Sequence, residues 1–285
     1  MALMDPTGFN EIADLALRKS GHNFRPTQRY VIEARLGDII RREGFANLDG
    51  LAHCLKARPN KELERDVVAA LPSKQSRFFR DRPLFKRLIN TVLPGIAATS
   101  DKKRLRVLCA GGGAGQEAYS LAMLQNQREA ETSQITPVEF VSVDICRHAT
   151  RRGREGRFSH FEVQTGLSIH HLLENFERFE DGSWQVVPEL RETISFRAHN
   201  LMDDLTGLGE FDVILCCNVL QTMAPGVARG LGERLGAQLA PEGVLFLGEG
   251  EAIQMDDHYS LQVSRDIRGG YEFSSDKGDL SSLAS

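Results

Sequence analysis

The chain has 285 residues, of which 41% are hydrophobic and 26% are charged, so it can bury a sizeable core in one large domain or two ordinary ones. No apolar run approaches the ~20 residues that a membrane-spanning helix needs, and the N-terminus lacks the basic and apolar segments of a secretory signal. The five cysteines are scattered and have no metal-ligand spacing. We therefore expect a cytoplasmic protein with reduced thiols, no bound metal and no membrane insertion.

The net charge of −4 divides unevenly along the chain. Residues 1–100 carry 17 Lys and Arg against 11 Asp and Glu, whereas the remainder carries 18 against 28. The basic first part predicts an acidic partner surface, and a merely solvated helical surface is the alternative. The chain has no basic stripe interleaved with aromatic residues, which argues against nucleic acid as a partner.

Residues 7–97 carry apolar side chains near helical spacing and show no strand pattern. The pattern predicts five helices, which begin near Thr7, Pro26, Asn47, Asn60 and Asp81. The last helix is predicted to end before Pro94, and a polar linker follows at 97–104. We therefore predict an N-terminal all-α domain at residues 1–97.

Strand-like and helix-like segments alternate after residue 104, which is typical of a parallel, doubly wound α/β sheet. The predicted strands cover 105–110, 138–144, 194–197, 211–216 and 244–247. The predicted helices cover about 115–128, a basic stretch at 147–154, and about 225–239. Residues 155–193 fit neither pattern and predict an insertion that closes with a hairpin around Asp181. The second predicted domain spans residues 98–285.

A glycine-rich segment, Ala110-Gly111-Gly112-Gly113-Ala114-Gly115, directly follows the first predicted strand. Glycines there let the backbone turn sharply and let a ligand approach without a Cβ in the way. The third glycine comes one residue earlier than in the G-x-G-x-x-G pattern that suits a pyrophosphate. The spacing suits S-adenosylmethionine, whose methionine and ribose parts carry no phosphate. A plain tight turn and a dinucleotide site remain the alternatives.

Four polar residues stand close to the ends of predicted strands. Asp144 ends the second strand, where an acid can accept both hydroxyls of a ribose. Glu117 stands one turn into the following helix, and Asn200 and Asn218 follow later strands. Ligands of open α/β sheets bind beyond these strand ends, so we expect the four residues to surround one pocket. For each residue alone, a helix cap or a loop group is the alternative role.

Several separated motifs between about residues 5 and 255 resemble those of the chemotaxis receptor methyltransferases (CheR). The motifs are Phe78-Phe79-Arg80-Asp81, the segment Gly115–Met123, Asn200-Leu201-Met202, the segment Phe211–Leu220, and the segment Leu239–Gly248. The insertion, with Gly156-Arg157-Phe158 and Trp184-Gln185-Val186, is similar to the small β-subdomain of that family. The resemblance implies a class I (Rossmann-like) methyltransferase fold that binds S-adenosylmethionine.

The resemblance also implies a reaction and a partner. Members of the family transfer a methyl group to glutamate side chains on the cytoplasmic helical bundle of chemoreceptors, and the product is a glutamate methyl ester. The basic helical domain would lie against the acidic methylation region, and the β-subdomain would dock on the receptor. The acceptor carboxylate is ionised at neutral pH, so the reaction needs alignment and water exclusion rather than a general base.

Site residues follow from the same resemblance. Arg80 and Ser76 are predicted as catalytic residues that also contact the cofactor. Arg80 would orient the substrate carboxylate, with an interdomain salt bridge as its alternative role, and Ser76 keeps the hydroxyl of a family threonine. Glu117 would hold the methionine amino group, and Asp144 would hold the ribose. The other predicted cofactor contacts are the glycines and the residues around the two asparagines: Gly111, Gly113, Gly115, Asn200, Leu201, Asn218 and Val219.

Several residues depart from the family pattern. Gly112-Gly113-Ala114-Gly115 stands in place of Cys-Ser-Thr-Gly, and Lys74-Gln75-Ser76 replaces Asn-Glu-Thr. Cys217 replaces an arginine, and Thr222 replaces a tyrosine close to the transferring methyl. These departures leave two further interpretations open. One is a catalytically impaired relative that acts as a binding or regulatory protein, and the other is a methyltransferase that acts on a small molecule or nucleic acid.

Overall fold

A computed structural model describes residues 7–72, 76–132, 136–253, 261–264 and 269–273. Across these ranges, no helix combines the length and the apolar character needed to cross a membrane. Lys74 and Gln75 lie outside the described residues.

Four helices form the N-terminal part of the chain and confirm the first four predicted helices. They are α1 (Thr7–Ser20), α2 (Arg29–Arg42), α3 (Leu48–Ala57) and α4 (Lys61–Ala70). A 3₁₀ turn at Pro26–Gln28 precedes α2. The side chains of Asn47 and Asn60 cap α3 and α4 by accepting backbone N–H groups of the first turn. The apolar faces of the four helices pack into one separate cluster that includes Ile12, Leu51 and Val67.

The fifth predicted helix runs further than expected. It begins as α5 (Arg82–Arg87), with the Asp81 side chain accepting the Leu84 N–H at 3.0 Å, and continues through a π-helical turn at Leu88–Val92 into α6 (Leu93–Thr99). The predicted end before Pro94 is therefore wrong. Pro94 lies in the first turn of α6, where a proline ring is tolerated, because the preceding π turn resets the hydrogen-bond pattern.

The fifth helix packs with the sheet rather than with α1–α4. Phe85, Ile89 and Ile96 belong to the same buried cluster as Val107 of the first strand. The predicted boundary between the two domains at residue 97 stays a prediction. Because the fifth helix packs with the sheet, a domain boundary between residues 71 and 78 is favoured instead.

The rest of the chain alternates between strands and helices, as predicted. In chain order the elements are β1 (Leu105–Ala110), α7 (Gln116–Glu131), β2 (Val138–Asp144), α8 (Arg147–Glu155), β3 (Arg157–Phe158), α9 (His160–Gln164), α10 (Ile169–Asn175), β4 (Phe176–Arg178), β5 (Trp184–Val186), α11 (Pro188–Arg191), β6 (Ile194–Ala198), β7 (Phe211–Cys216), α12 (Pro225–Gly236), β8 (Leu239–Leu247), β9 (Leu261–Val263) and β10 (Gly270–Phe273).

The main sheet has the strand order β6-β2-β1-β7-β8-β10-β9. Its first five strands are parallel, and β10 pairs antiparallel with both neighbours. Strand β8 begins five residues before the predicted start at 244, because an irregular pairing with β7 absorbs Pro241-Glu242-Gly243, where Glu242 has φ +63°. The carboxyl ends of β1, β2, β6 and β7 therefore share one edge of the sheet, which is where the predicted site residues lie.

The insertion forms a small unit of its own between α8 and β6. Strands β3, β5 and β4 make a three-stranded antiparallel sheet, and the predicted hairpin around Asp181 joins β4 to β5. Phe158 and Phe176 of this sheet pack edge-on against the buried ring of Phe78. The insertion is thereby fixed against the segment that carries Arg80.

Candidate functional site

A cavity of about 570 Å³ lies at the carboxyl ends of the parallel strands. It is lined by the glycine-rich loop, by the loops after β2, β6 and β7, and by residues of the N-terminal helices and the insertion. Ten of the eleven predicted site residues line it together: Ser76, Arg80, Gly111, Gly113, Glu117, Asp144, Asn200, Leu201, Asn218 and Val219.

The floor of the cavity is the glycine-rich loop between β1 and α7. Gly111 and Gly113 have φ of +73° and +57°, a left-handed backbone that favours glycine. A Cβ on Gly111 would lie 2.6 Å from Cγ2 of Val219, so the loop after β7 leaves no room for a side chain there. Cβ of Ser76 lies 3.9 Å from where a Cβ on Gly113 would stand. The loop thus offers bare backbone to a ligand.

Gly115 is the one predicted site residue that does not line the cavity. It caps α7 with φ +88°, and a Cβ there would lie 2.5 Å from the Phe196 ring. Its role in this structure is to let α7 start close to β6.

Asp144 ends β2 and holds the glycine-rich loop in place. One carboxylate oxygen accepts the Gly113 N–H at 2.9 Å, and the other accepts the Cys146 N–H at 2.8 Å. Burial raises the pKa of Asp144, and these two backbone hydrogen bonds oppose the shift. Each carboxylate oxygen keeps a second lone pair, so Asp144 can still accept two ligand hydroxyls.

Glu117 lies one turn into α7, buried at the cavity wall. Burial raises the pKa of Glu117 from 4.5 to about 7, the Arg80 guanidinium opposes the shift, and the nearby carboxylates of Glu251 and Asp81 add to it. The neighbouring side-chain carbonyl of Gln116 is buried without a hydrogen-bond partner among the described residues. A buried carboxylate and a spare carbonyl suit a cationic ligand group such as an ammonium.

Arg80 reaches the cavity because the preceding residues form a tight, strained turn. Phe79 has φ +48°, which is unusual for a bulky side chain, and its N–H donates to Ser120 Oγ at 2.9 Å. The Phe79 ring stacks on His171 of the insertion at 4.6 Å between ring centroids. Residues of α7 and of the insertion together therefore fix the backbone that presents Arg80 to the cavity.

Asn200 links the cavity to the N-terminal helices. Its amide nitrogen donates to the Lys19 carbonyl at 2.6 Å, and its amide oxygen accepts the Met202 N–H at 3.1 Å. Leu201, between them, is buried against the sheet and lines the cavity. Asn200 thus has a structural role as well as its place in the cavity wall.

The loop after β7 depends on a residue that the motifs did not reveal. Asn218 has φ +60°, and its N–H donates to Glu251 Oε2 at 2.6 Å. The same carboxylate accepts the N–H groups of Gly248 at 3.0 Å and Gln221 at 3.0 Å. Glu251 therefore holds three backbone groups and fixes the part of the cavity wall that contains Asn218 and Val219.

His22 is a second site residue that sequence reasoning missed. It is 7% exposed, lines the cavity, and pairs as an isolated β-bridge with Met223. Ser20 Oγ donates to the Ala16 carbonyl, so His22 Nδ1 is the donor in its 3.0 Å hydrogen bond to Ser20. Burial lowers the pKa of His22, which keeps the ring neutral at neutral pH. The N-terminal helices thereby close one side of the cavity.

The two departures at the end of β7 both line the cavity. Thr222 Oγ1 donates to the Val219 carbonyl at 3.0 Å, so its hydroxyl is used within its own turn. Burial raises the pKa of Cys217, which keeps its side chain a neutral thiol. Neither residue therefore brings a charge or a long polar side chain to this wall.

The groups around the cavity fit S-adenosylmethionine. Glu117 and the Gln116 carbonyl can hold its amino group, Asp144 can accept the ribose hydroxyls, and the left-handed glycines leave space for its backbone-like methionine part. Among the described residues, no group of three or more His, Cys, Asp or Glu side chains could hold a metal ion.

Comparisons with known proteins identify the family to which the chain is related. The model of the CheR methyltransferase SAM-binding domain matches residues 74–267, and the model of the CheR methyltransferase all-alpha domain matches residues 7–69. Chemotaxis protein methyltransferase Cher2 of Pseudomonas putida is 30% identical over 237 residues, covering 82% of this chain and 86% of the relative.

Two further relatives cover similar or larger parts of the chain. Chemotaxis protein methyltransferase 1 of Pseudomonas aeruginosa is 31% identical over 82% of this chain and 86% of its own. Chemotaxis protein methyltransferase 2 of Vibrio cholerae is 26% identical over 96% of this chain and 95% of its own. Together with the sheet order and the cavity, these matches show that the chain belongs to the CheR methyltransferase family and is a class I methyltransferase that uses S-adenosylmethionine.

Proposed function

We propose that this protein transfers a methyl group from S-adenosylmethionine to glutamate side chains of chemoreceptors and so forms glutamate methyl esters. The observation that carries the proposal is that Arg80 and Glu117 line the same cavity in a chain of the CheR family. The relatives are themselves chemotaxis methyltransferases. The proposal places the protein in the cytoplasm, where the methylated helical bundle of such receptors lies.

The chemical properties of the residues that line the cavity support a carboxylate as the methyl acceptor. S-adenosylmethionine supplies, when bound, a methyl group activated by its positively charged sulfur. A glutamate carboxylate has an ordinary pKa near ~4.3 and is ionised at neutral pH, so it needs no general base. What the chain must supply is orientation and exclusion of water. The planar guanidinium of Arg80 suits the orientation of a carboxylate, and the neutral walls around Cys217 and His22 suit the exclusion of water.

The proposal is tested by incubating the protein with tritiated S-adenosylmethionine and the cytoplasmic fragments of chemoreceptors from the same cell. We expect label on the receptor fragment that alkali releases as volatile methanol, because esters are alkali-labile. Arg80→Ala should abolish most of the transfer, whereas Arg77→Ala, an exposed arginine three residues earlier, should leave it within about twofold. Alkali-stable label would refute a carboxylate acceptor.

One observation favours a second function, that of a catalytically impaired regulator. The Thr222 hydroxyl donates to its own turn, so this position offers no phenol-length polar group to the reacting centre. Under this reading the protein would bind S-adenosylmethionine and the receptor without transferring a methyl group. Tight binding of both partners with no transfer in the same assay would favour the regulator.

A further inference from the structure

Helix α8 presents a row of arginines to solvent. Arg147, Arg151 and Arg154 are all exposed, and their spacing of four and three residues places them along one side of the helix. Thr150 and Gly153 of the same helix are buried. The row spans about 10 Å along the helix axis. It lies in the part of the chain after residue 100, which carries 18 Lys and Arg against 28 Asp and Glu, so it is a positive surface within an acidic domain.

The charges of this row are hardly compensated within the protein. Among the described residues, neither Arg147 nor Arg154 forms an ion pair, and Arg154 donates to the neutral Phe196 carbonyl at 2.9 Å. Arg151 approaches Glu155 only at 3.9 Å, the limit for an ion pair. At such a distance an exposed pair contributes almost nothing to stability. The row therefore keeps its positive potential for an outside partner.

The N-terminal helices differ, although their net charge is more positive. Arg29 forms ion pairs with Glu33 at 2.8 Å and Asp49 at 3.3 Å, and Arg42 pairs with Asp66 at 2.6 Å. Arg29 and Arg42 are thus paired inside that domain, although its net excess of Lys and Arg remains. The excess charge still predicts an acidic partner surface there, and the unpaired Arg147 and Arg154 make the exposed side of α8 a second positive surface among the described residues.

The α8 row also begins beside the cavity. The helix follows Asp144 after two residues, and its own His148, Ala149 and Arg152 line the cavity wall. Arg152 pairs with Glu162 of the insertion, which lines the same cavity. A partner segment that presents a side chain to the cavity can therefore continue along the exposed side of α8.

We propose that Arg147, Arg151 and Arg154, the α8 arginine face, dock an acidic α-helix of the methyl-accepting protein next to the glutamate that enters the cavity. The occupant is an α-helix with carboxylates about one and two turns apart, because that spacing matches the arginine row. The contact acts on association and register rather than on the chemical step. The inference rests on the proposed function, since it assumes an acceptor rich in glutamate.

The test compares two double charge reversals in the methyl-transfer assay with a receptor cytoplasmic fragment. Arg147→Glu/Arg151→Glu alters the α8 arginine face. Lys103→Glu/Arg104→Glu is the matched control, because both residues are exposed at the amino end of β1, the opposite edge of the sheet from the cavity. Titration with S-adenosylhomocysteine reports whether each variant keeps a folded cofactor site.

We expect the α8 variant to raise KM for the receptor fragment at least about tenfold at low salt, with kcat and the affinity for S-adenosylhomocysteine within about twofold. The control variant should keep KM, kcat and the affinity for S-adenosylhomocysteine within about twofold of wild type. The difference in KM between the α8 variant and wild type should shrink as the salt concentration is raised. An unchanged KM, or an equal rise in the control, would overturn the inference and leave the proposed function standing. A wild-type protein that binds the cofactor but methylates no receptor fragment would overturn both.

Discussion

Replacing Glu117 with glutamine should stabilise the protein above neutral pH and at the same time weaken cofactor binding. The folded-state pKa of Glu117, about 7, lies above its ordinary value of 4.5 because the carboxyl is buried. An acid with a raised pKa destabilises the folded state as the pH rises from about 4.5 through 7, and the cost is constant above that range. A change from 4.5 to about 7 corresponds to about 3 kcal/mol, which the neutral amide avoids.

The stability half of this prediction is measured by urea unfolding of both proteins at pH 5 and pH 8.5. The variant should gain up to ~3 kcal/mol over wild type at pH 8.5 and little at pH 5. Glu162→Gln is the matched control in the same cavity. Burial raises the pKa of Glu162, but the Ser159 hydrogen bonds and Arg152 outweigh it and lower the pKa overall. Its carboxylate is therefore stabilising above pH 4.5, and the control should lose stability at pH 8.5.

The binding half is measured by titration with S-adenosylmethionine. Loss of a charge-assisted contact should weaken binding about 10- to 100-fold in the Glu117→Gln variant. In wild type the affinity should fall as the pH drops below about 7, where Glu117 takes up its proton and loses the charge that would pair with the amino group. Equal pH dependence of stability in wild type and variant, or unchanged affinity, would refute the role assigned to this buried carboxylate.

Two further predictions concern the supports of the cavity. Gly166→Ala should lower the free energy of unfolding in urea by about 2–4 kcal/mol, because Gly166 has φ +103° and a Cβ there would lie 1.9 Å from the Phe78 carbonyl oxygen. The control, Gly182→Ala, should cost only about 1 kcal/mol, because Gly182 also has a positive φ, +79°, but open space around it. A similar loss in both variants would contradict the packing of the insertion on the Arg80 segment. Glu251→Ala should reduce the affinity for S-adenosylhomocysteine about tenfold, because it releases the loop after β7. Glu249→Ala, which changes an exposed residue, should leave the affinity unchanged. Equal affinities of the two variants would show that the loop keeps its shape without Glu251.

The central part of the fold and of the site was predictable because its signals are local. A buried strand, a glycine-rich turn and a helix follow one another within residues 105–131, and the turn already contains the positive-φ glycines that it needs. Asp144 was predictable for the same reason, since it directly ends a strand whose apolar pattern is clear. The order of strands then brings these segments to one edge without further information.

The remaining parts depend on contacts between distant residues. Glu251 acts on a loop 33 residues earlier in the chain, and nothing in its own neighbourhood indicates that it will accept three backbone N–H groups. His22 reaches the cavity only because the N-terminal helices dock on the loop after β7. The helix past Pro94 required a π turn that no propensity predicts.

The most direct test of the account is isothermal titration of the purified protein with S-adenosylhomocysteine, with Asp144→Ala as the control. Asp144 both anchors the Gly113 backbone and faces the cavity, so its removal should damage the cofactor site specifically. We expect binding in the micromolar range for wild type and none detectable for the variant, with both proteins unfolding cooperatively. Absence of binding to the wild-type protein, or equal binding to the variant, would contradict the assignment of this cavity as the cofactor site.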